Sequence, residues 1–136
     1  FPNDEVSSFA KDDKQRIWMG GKYFGLTIYD KYQGKFFNYR YDRAVEGSIA
    51  DNRVNCIFID KTGSVWLGTN NGISICNPSR QSFVQTFLPK QDKDISIYDF
   101  YQYGDQLWIG TSEGIFIQSK DGSFQLRGIA DCKQFF

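Results

Sequence analysis

Three stretches of this chain repeat one pattern. A tryptophan lies inside an apolar run, a glycine follows two positions later, and a second glycine precedes another apolar run. The stretches are RIWMGGKYFGLTI (16–28), SVWLGTNNGISI (64–75) and QLWIGTSEGIFI (106–117). Trp18, Trp66 and Trp108 are 48 and 42 residues apart. Recurrence at a spacing of roughly 40–50 residues is the signature of a repeat architecture, in which one supersecondary unit is written several times and the copies pack on one another.

Each copy has the same internal order. A first β-like run (EVSSFAKD at 5–12, RVNCIFID at 53–60, ISIYDFYQY at 95–103) leads through a short turn into the tryptophan run. A second turn holds KYFG, NNG or SEG and leads to LTIYD, ISIC or IFIQ. A fourth run follows: KFFNYRY at 35–41, SFVQTFL at 82–88 and SFQLRGI at 123–129. The connections are hairpin-length and rich in turn formers, and no helical period competes with them. Four strands per copy at this spacing predict an all-β fold of β-propeller blades, each of four antiparallel strands. Blade 1 spans about 5–41, blade 2 about 53–88 and blade 3 about 95–129, within one segment covering 1–136. Cys56-Ile57-Phe58-Ile59 is apolar on consecutive residues, which predicts burial on both faces of the strand, as in stacked blades.

The repeated residues have packing roles in this arrangement. Trp18, Trp66 and Trp108 are expected as wedges between neighbouring blades. Gly20, Gly68 and Gly110 would let a neighbouring Trp or backbone approach closely. Gly25, Gly72 and Gly114 fall where a tight turn needs positive φ.

Composition excludes several kinds of chemistry. Lys+Arg and Asp+Glu are 16 each, so nothing points to capture of nucleic acid or of an anionic membrane. The chain has no histidine, which removes the commonest general base and metal ligand. It has no phosphate loop, no GxGxxG and no nucleophile elbow. Catalytic residues, metal ligands and cofactors are therefore expected to be absent. The Asp residues (Asp12, Asp13, Asp60, Asp105, Asp121) fall in turns, where Asp is a turn former. Cys56, Cys76 and Cys132 lack metal-site spacing. The first two sit in β-like runs and leave open both buried thiols and a Cys56–Cys76 bridge. No apolar run approaches the roughly 20 residues of a membrane span. The N-terminal FPNDEVSS reads as the interior of something longer.

The pattern Val-x-x-Ile, Asp, Gly, Leu-Trp-Ile-Gly-Thr, Gly-Leu resembles the two-component regulator propeller repeat. RVNCIFIDKTGSVWLGTNNGISICNPSRQSF (53–83) follows it nearly throughout. GSIADNRV (47–54) resembles that family's blade-entry loop, and FPNDEV (1–6) looks like half of one. The resemblance covers essentially the whole chain, and Tyr98–Tyr103 departs from it. It implies the extracytoplasmic sensor region of a hybrid two-component histidine kinase, periplasmic, binding polysaccharide-derived oligosaccharides and signalling across the membrane to a kinase elsewhere in the protein. Pyrroloquinoline-quinone-type repeats also use Trp and Gly, but their Asp-x-x-Thr-Gly segment is only partly echoed by Asp60-Lys61-Thr62-Gly63.

Three blades do not close a ring of about four to eight. Further blades or a second copy of the chain are therefore expected as partners, with GIADCKQFF (128–136) as an alternative cap. The binding end is expected where blade-to-blade connections and second–third strand turns meet, at 43–53, 88–96 and the turns themselves. Sugars favour an aromatic face beside planar hydrogen-bonding groups. Tyr23, Phe24, Asn52, Arg53, Asn70 and Asn71 supply those types. Tyr23 and Phe24 come first, because their turn is longer than GTNNG. Two other readings stand beside the sensor: a protein-interaction scaffold, and an accessory propeller of a carbohydrate-active enzyme.

Overall fold

The computed structural model describes residues 5–80, 82–86, 88–89 and 94–128. Twelve strands form three four-stranded antiparallel sheets, each in simple sequence order. Blade 1 contains β1 (Val6–Lys11), β2 (Arg16–Gly21), β3 (Leu26–Asp30) and β4 (Lys35–Tyr39). Blade 2 contains β5 (Val54–Ile59), β6 (Val65–Thr69), β7 (Gly72–Asn77) and β8 (Ser82–Thr86). Blade 3 contains β9 (Ile97–Tyr103), β10 (Gln106–Thr111), β11 (Gly114–Gln118) and β12 (Phe124–Arg127). The first strands β1, β5 and β9 lie side by side across the blades, so they form the inner wall. Beyond Gly128 the expected terminal cap lies outside the described residues.

Two apolar cores sit between the blades. Between blades 1 and 2, Trp18, Leu26 and Ile28 meet Val54, Val65, Leu67 and Phe83. Between blades 2 and 3, Cys56, Trp66 and Ile73 meet Ile97, Phe100, Ile109 and Phe116. Strand β5 feeds both: Cys56 and Phe58 turn towards blade 3, Ile57 and Ile59 towards blade 1. The unbroken apolar run at 56–59 is thus explained by two covered faces. The connecting segments add Ile49 to the first core, and Leu88 and Ile95 to the second. Cys56 and Cys76 belong to different cores and are both free thiols, so they are not bridged. Burial pushes their pKa values up to about 12 and about 11, as expected for inert buried thiols.

Gly20 and Gly68 are closely approached, as expected, but by the first residue of the next blade's inner strand and not by a tryptophan; Val54 O also lies 3.2 Å from a Cβ placed at Gly20. A Cβ at Gly20 would come within 2.9 Å of Val54 Cγ1. One at Gly68 would run into Cys56 Sγ and come within 2.7 Å of Ile97 Cγ2. At Gly110 nothing lies closer than Asp99 O, at 4.0 Å. The turn glycines Gly25, Gly72 and Gly114 have φ of 76°, 81° and 120°, the left-handed region that penalises a Cβ.

Candidate functional site

The second–third strand turns and the blade-entry segments meet at one end of the blades, and backbone hydrogen bonds hold them there. Each second–third strand turn donates to the entry segment of its own blade. Lys22 N donates to Glu5 O (2.9 Å), Asn70 N to Arg53 O (3.2 Å) and Ser112 N to Ser96 O (2.9 Å). The turns of blades 1 and 2 also donate to the entry segment of the following blade: Gly25 N to Asn52 O (2.8 Å) and Gly72 N to Ile95 O (2.9 Å). These turns are therefore stapled between two blades, and the side chains they carry stand on a fixed frame.

The threonine after the second-position glycine shapes two of the turns. Thr69 Oγ1 donates to Gly72 O (2.8 Å) and accepts from Asn71 N (3.0 Å). Thr111 does the same for Gly114 O (2.7 Å) and Glu113 N (3.1 Å). Blade 1 has Gly21 at this position, and the ring of Phe24 packs where a side chain would stand. This corrects the expectation for Phe24. Only 6% of it is exposed, and it acts as the internal support of the longer turn.

The same bonds sort the other candidates. Tyr23 is 54% exposed, and Lys22 Nζ lies 5.5 Å from its ring centroid. Lys22 in turn donates to Glu5 Oε2 (3.0 Å), and that carboxylate raises the ammonium pKa above its ordinary value. Arg40 Nη2 donates to Tyr23 O (3.1 Å). Asn52 Oδ1 accepts from Tyr41 N (2.7 Å), so its side chain fixes the loop. Asn70 Oδ1 accepts from Asn55 Nδ2 (2.9 Å), which also donates to Ile97 O (2.9 Å). Arg53 is exposed and Asn71 half-buried. The turn end thus gathers all six candidates. Tyr23, Arg53 and Asn71 are left at the surface; Phe24, Asn52 and Asn70 are committed to structure.

Three contributors to this end were not singled out from the sequence: Lys22, Glu5 and Asn55. Asn55 sits at a bulge in β5, where the register shifts between Val54 and Cys56. Ser7 occupies the matching bulge of β1, and its hydroxyl donates to Val54 O. The bulge residue thus ties each inner strand to the next. A polar residue directly after the first apolar residue of the inner strand, Ser7 after Val6 and Asn55 after Val54, is the trace of this in the sequence.

Two open clefts lie away from these turns. One, of 650 Å³, runs between the 41–48 segment and β8 and is lined by Arg43, Glu46, Phe83 and Gln85. The other, of 380 Å³, opens between blades 2 and 3 at the opposite turns, beside Asp60, Lys61, Gln102 and Lys120. Neither includes Tyr23, Asn70 or Asn71.

Four-stranded antiparallel sheets, stacked face to face with their first strands innermost, define a β-propeller. Residues 48–71 match the two component regulator propeller family, so the chain carries a repeat of that family. The match runs from the entry loop that buries Ile49, through Trp66, Gly68 and Thr69, to Asn71. The fold is also that of larger solved propellers. The chain superposes over 93% of its length, with TM-score 0.78 and 24% identity, on the extracellular domain of a hybrid two component system from B. thetaiotaomicron. A second such domain from B. thetaiotaomicron matches over 98%, with TM-score 0.79 and 24% identity. The chain spans 17% of the length of either. Virginiamycin B lyase from Staphylococcus aureus shares the fold over 93% of this chain and 42% of its own, at TM-score 0.70 and 18% identity. No curated protein matches the chain. Among the described residues no helix is long and apolar enough to cross a membrane.

Proposed function

We propose that this chain is part of the extracytoplasmic, periplasmic sensor propeller of a hybrid two-component histidine kinase. In this reading its turn end binds an oligosaccharide released from a polysaccharide, and the chain itself is non-catalytic. The observation that carries the reading is the exposed Tyr23 beside Lys22, with Arg53 and Asn71 on the neighbouring stapled turns. An aromatic face flanked by planar and charged donors suits a sugar ring and its hydroxyls. The family repeat at 48–71 and the fold shared with extracellular domains of two component systems support the sensor assignment. A ligand that bridges Tyr23 and Arg53 would touch turns bonded to two blades at once, so its binding would be felt as a change in blade-to-blade geometry.

Isothermal calorimetry of this chain against a panel of polysaccharide-derived oligosaccharides tests the reading. Heat with one glycan class is expected, and Tyr23→Ala should weaken that binding about tenfold. Arg53→Ala should weaken it as well. A flat titration with every glycan would remove the assignment, as would a Tyr23→Ala variant that binds like the parent.

A further inference from the structure

The gap beside the buried tryptophan is closed between blades 1 and 2 and open between blades 2 and 3. In the first interface about 40 Å³ remains, among Arg16, Trp18, Cys76 and Pro78. Arg16 fills it, with its guanidinium 5.7 Å from the Trp18 ring centroid and paired with Asp12. In the second interface the same place is the cleft of 380 Å³ beside Trp66, Gln118 and Lys120. Three differences between the copies account for this. Ser64 stands where blade 1 has Arg16, so no long side chain covers Trp66. Gln118 takes the place of Cys76, as the pairings Leu107–Gln118 and Val65–Cys76 show. Lys120 takes the place of Pro78. The cleft thus loses its filler and gains an amide and an ammonium. Its walls are blades 2 and 3, so neither is supplied by a flanking blade.

The lining defines what the cleft can hold. Phe58, Trp66 and Leu107 give it an apolar floor. Asp60 and Lys61 stand on one wall, Asp105 and Lys120 on the other, so the charges balance. Asp60 is committed, since it accepts from Thr62, Ser64 and Trp66. Gln102 Nε2 donates to Gly104 O (2.8 Å) and Gln118 Nε2 to Gly122 O (3.4 Å). Among the described residues neither amide oxygen has a partner, and neither Lys61 nor Lys120 is in an ion pair. Donors and acceptors therefore alternate around an apolar base with no net charge. A ring of hydroxyls matches this pattern, because each hydroxyl both donates and accepts.

We propose that this cleft is a second binding site, at the end opposite the second–third strand turns, for one neutral sugar ring. Its volume lies in the range of about 300–1,000 Å³ typical of small-molecule pockets. The ring lies over Phe58 and Leu107, and its hydroxyls reach the amides of Gln102 and Gln118 and the ammonium groups of Lys61 and Lys120. The site shares no residue with the turn end, so it does not rest on the oligosaccharide reading given above.

NMR of the isotopically labelled chain, titrated separately with glucose, galactose, mannose and galacturonate, tests this. At least one neutral sugar should shift the Trp66 indole N–H and the Gln102 and Gln118 side-chain amides, saturating with a dissociation constant of about a millimolar. Galacturonate should bind no tighter. Ser64→Arg, which restores the filler of the first interface beside Asp60, should abolish these shifts. Gln118→Ala, a milder change at a half-buried position, should weaken binding about tenfold. No saturable shift with any neutral sugar overturns the proposal, as does parent-like binding by Gln118→Ala. A response to galacturonate alone overturns the neutral-sugar assignment. Shifts confined to the turns of Tyr23 and Asn71 overturn the cleft and support the turn end, so the two readings fail separately.

Discussion

Trp18→Ala is expected to lower the unfolding free energy by about 3–5 kcal/mol, the range for removing a fully buried large aromatic side chain. The same change at Trp108 is expected to cost only about 1 kcal/mol, near the centre of ordinary point-mutation effects. The three tryptophans share one local sequence and differ in what covers them. Trp18 is 1% exposed and wedged among Leu26, Ile28, Val54, Leu67 and Phe83, so its loss opens a cavity that two sheets cannot close by local repacking. It also strips a hydrogen bond from Asp12 Oδ2, which accepts from Trp18 Nε1 at 2.9 Å. Trp66 is 9% exposed and should rank just below it. Trp108 Nε1 donates to the exposed Gln106 Oε1, at 3.2 Å, and Trp108 is only half-buried. The check is denaturant unfolding of the three alanine variants in dilute solution, with midpoints compared at constant slope. Equal losses at all three positions would contradict the view that these residues act through the neighbouring blade.

That dependence on the neighbour also sets how far the sequence could be read. The strands were legible because each is bounded by turn residues and repeated three times. LTIYD and QLWIGT, for example, are strands over those same residues. The two-sided burial of β5 was legible in its unbroken apolar run. Contacts made across blades were not. Gly20 is matched to Val54, 34 residues on, and the local sequence around Gly20 favours a Trp partner equally. The bulge at Asn55 breaks the alternation from which facing is inferred, so the tie to Ile97 O had no periodic signal. Thr69 could be taken for a generic strand residue, because its work is done by a hydroxyl on the turn that follows. Phe24 shows the same limit at the candidate site. Its place in an aromatic turn suggests exposure, and only the absence of a side chain at Gly21 explains why it folds inward. Residues that vary between the copies were the right ones to examine, but variation alone does not separate a surface ring such as Tyr23 from an internal one.

Asp12 was legible as a turn residue and proves to be more. It is 5% exposed, and its carboxylate is surrounded by donors. Oδ1 accepts from Lys14 N and Arg16 N, both at 2.9 Å. Oδ2 accepts from Arg16 Nε at 2.7 Å and from Trp18 Nε1 at 2.9 Å. Asp60 holds Trp66 Nε1 in the same way, at 3.0 Å, and its other bonds come from the uncharged donors Thr62 and Ser64. Asp12→Ala should therefore cost about 3 kcal/mol at neutral pH, because it leaves the largely buried Arg16 guanidinium uncompensated against the Trp18 ring, 5.7 Å away. Asp60→Ala should cost less, about 1–2 kcal/mol, since only uncharged donors lose their acceptor. The pH dependence has a definite sign. Burial raises the Asp12 pKa, but the bonds from Trp18 and Arg16 and the Arg16 charge outweigh it, and the net shift is below 3.8. A carboxyl with a depressed folded-state pKa stabilises the fold fully above its unfolded value, and that contribution is lost as pH falls through the folded one. The stability gap between the parent and Asp12→Asn should thus be constant from neutral pH down to about 5, and shrink only below about 4. A gap that closes between pH 7 and 5, or widens in acid, would show that Asp12 does not anchor Trp18 and Arg16 as an ionised acceptor.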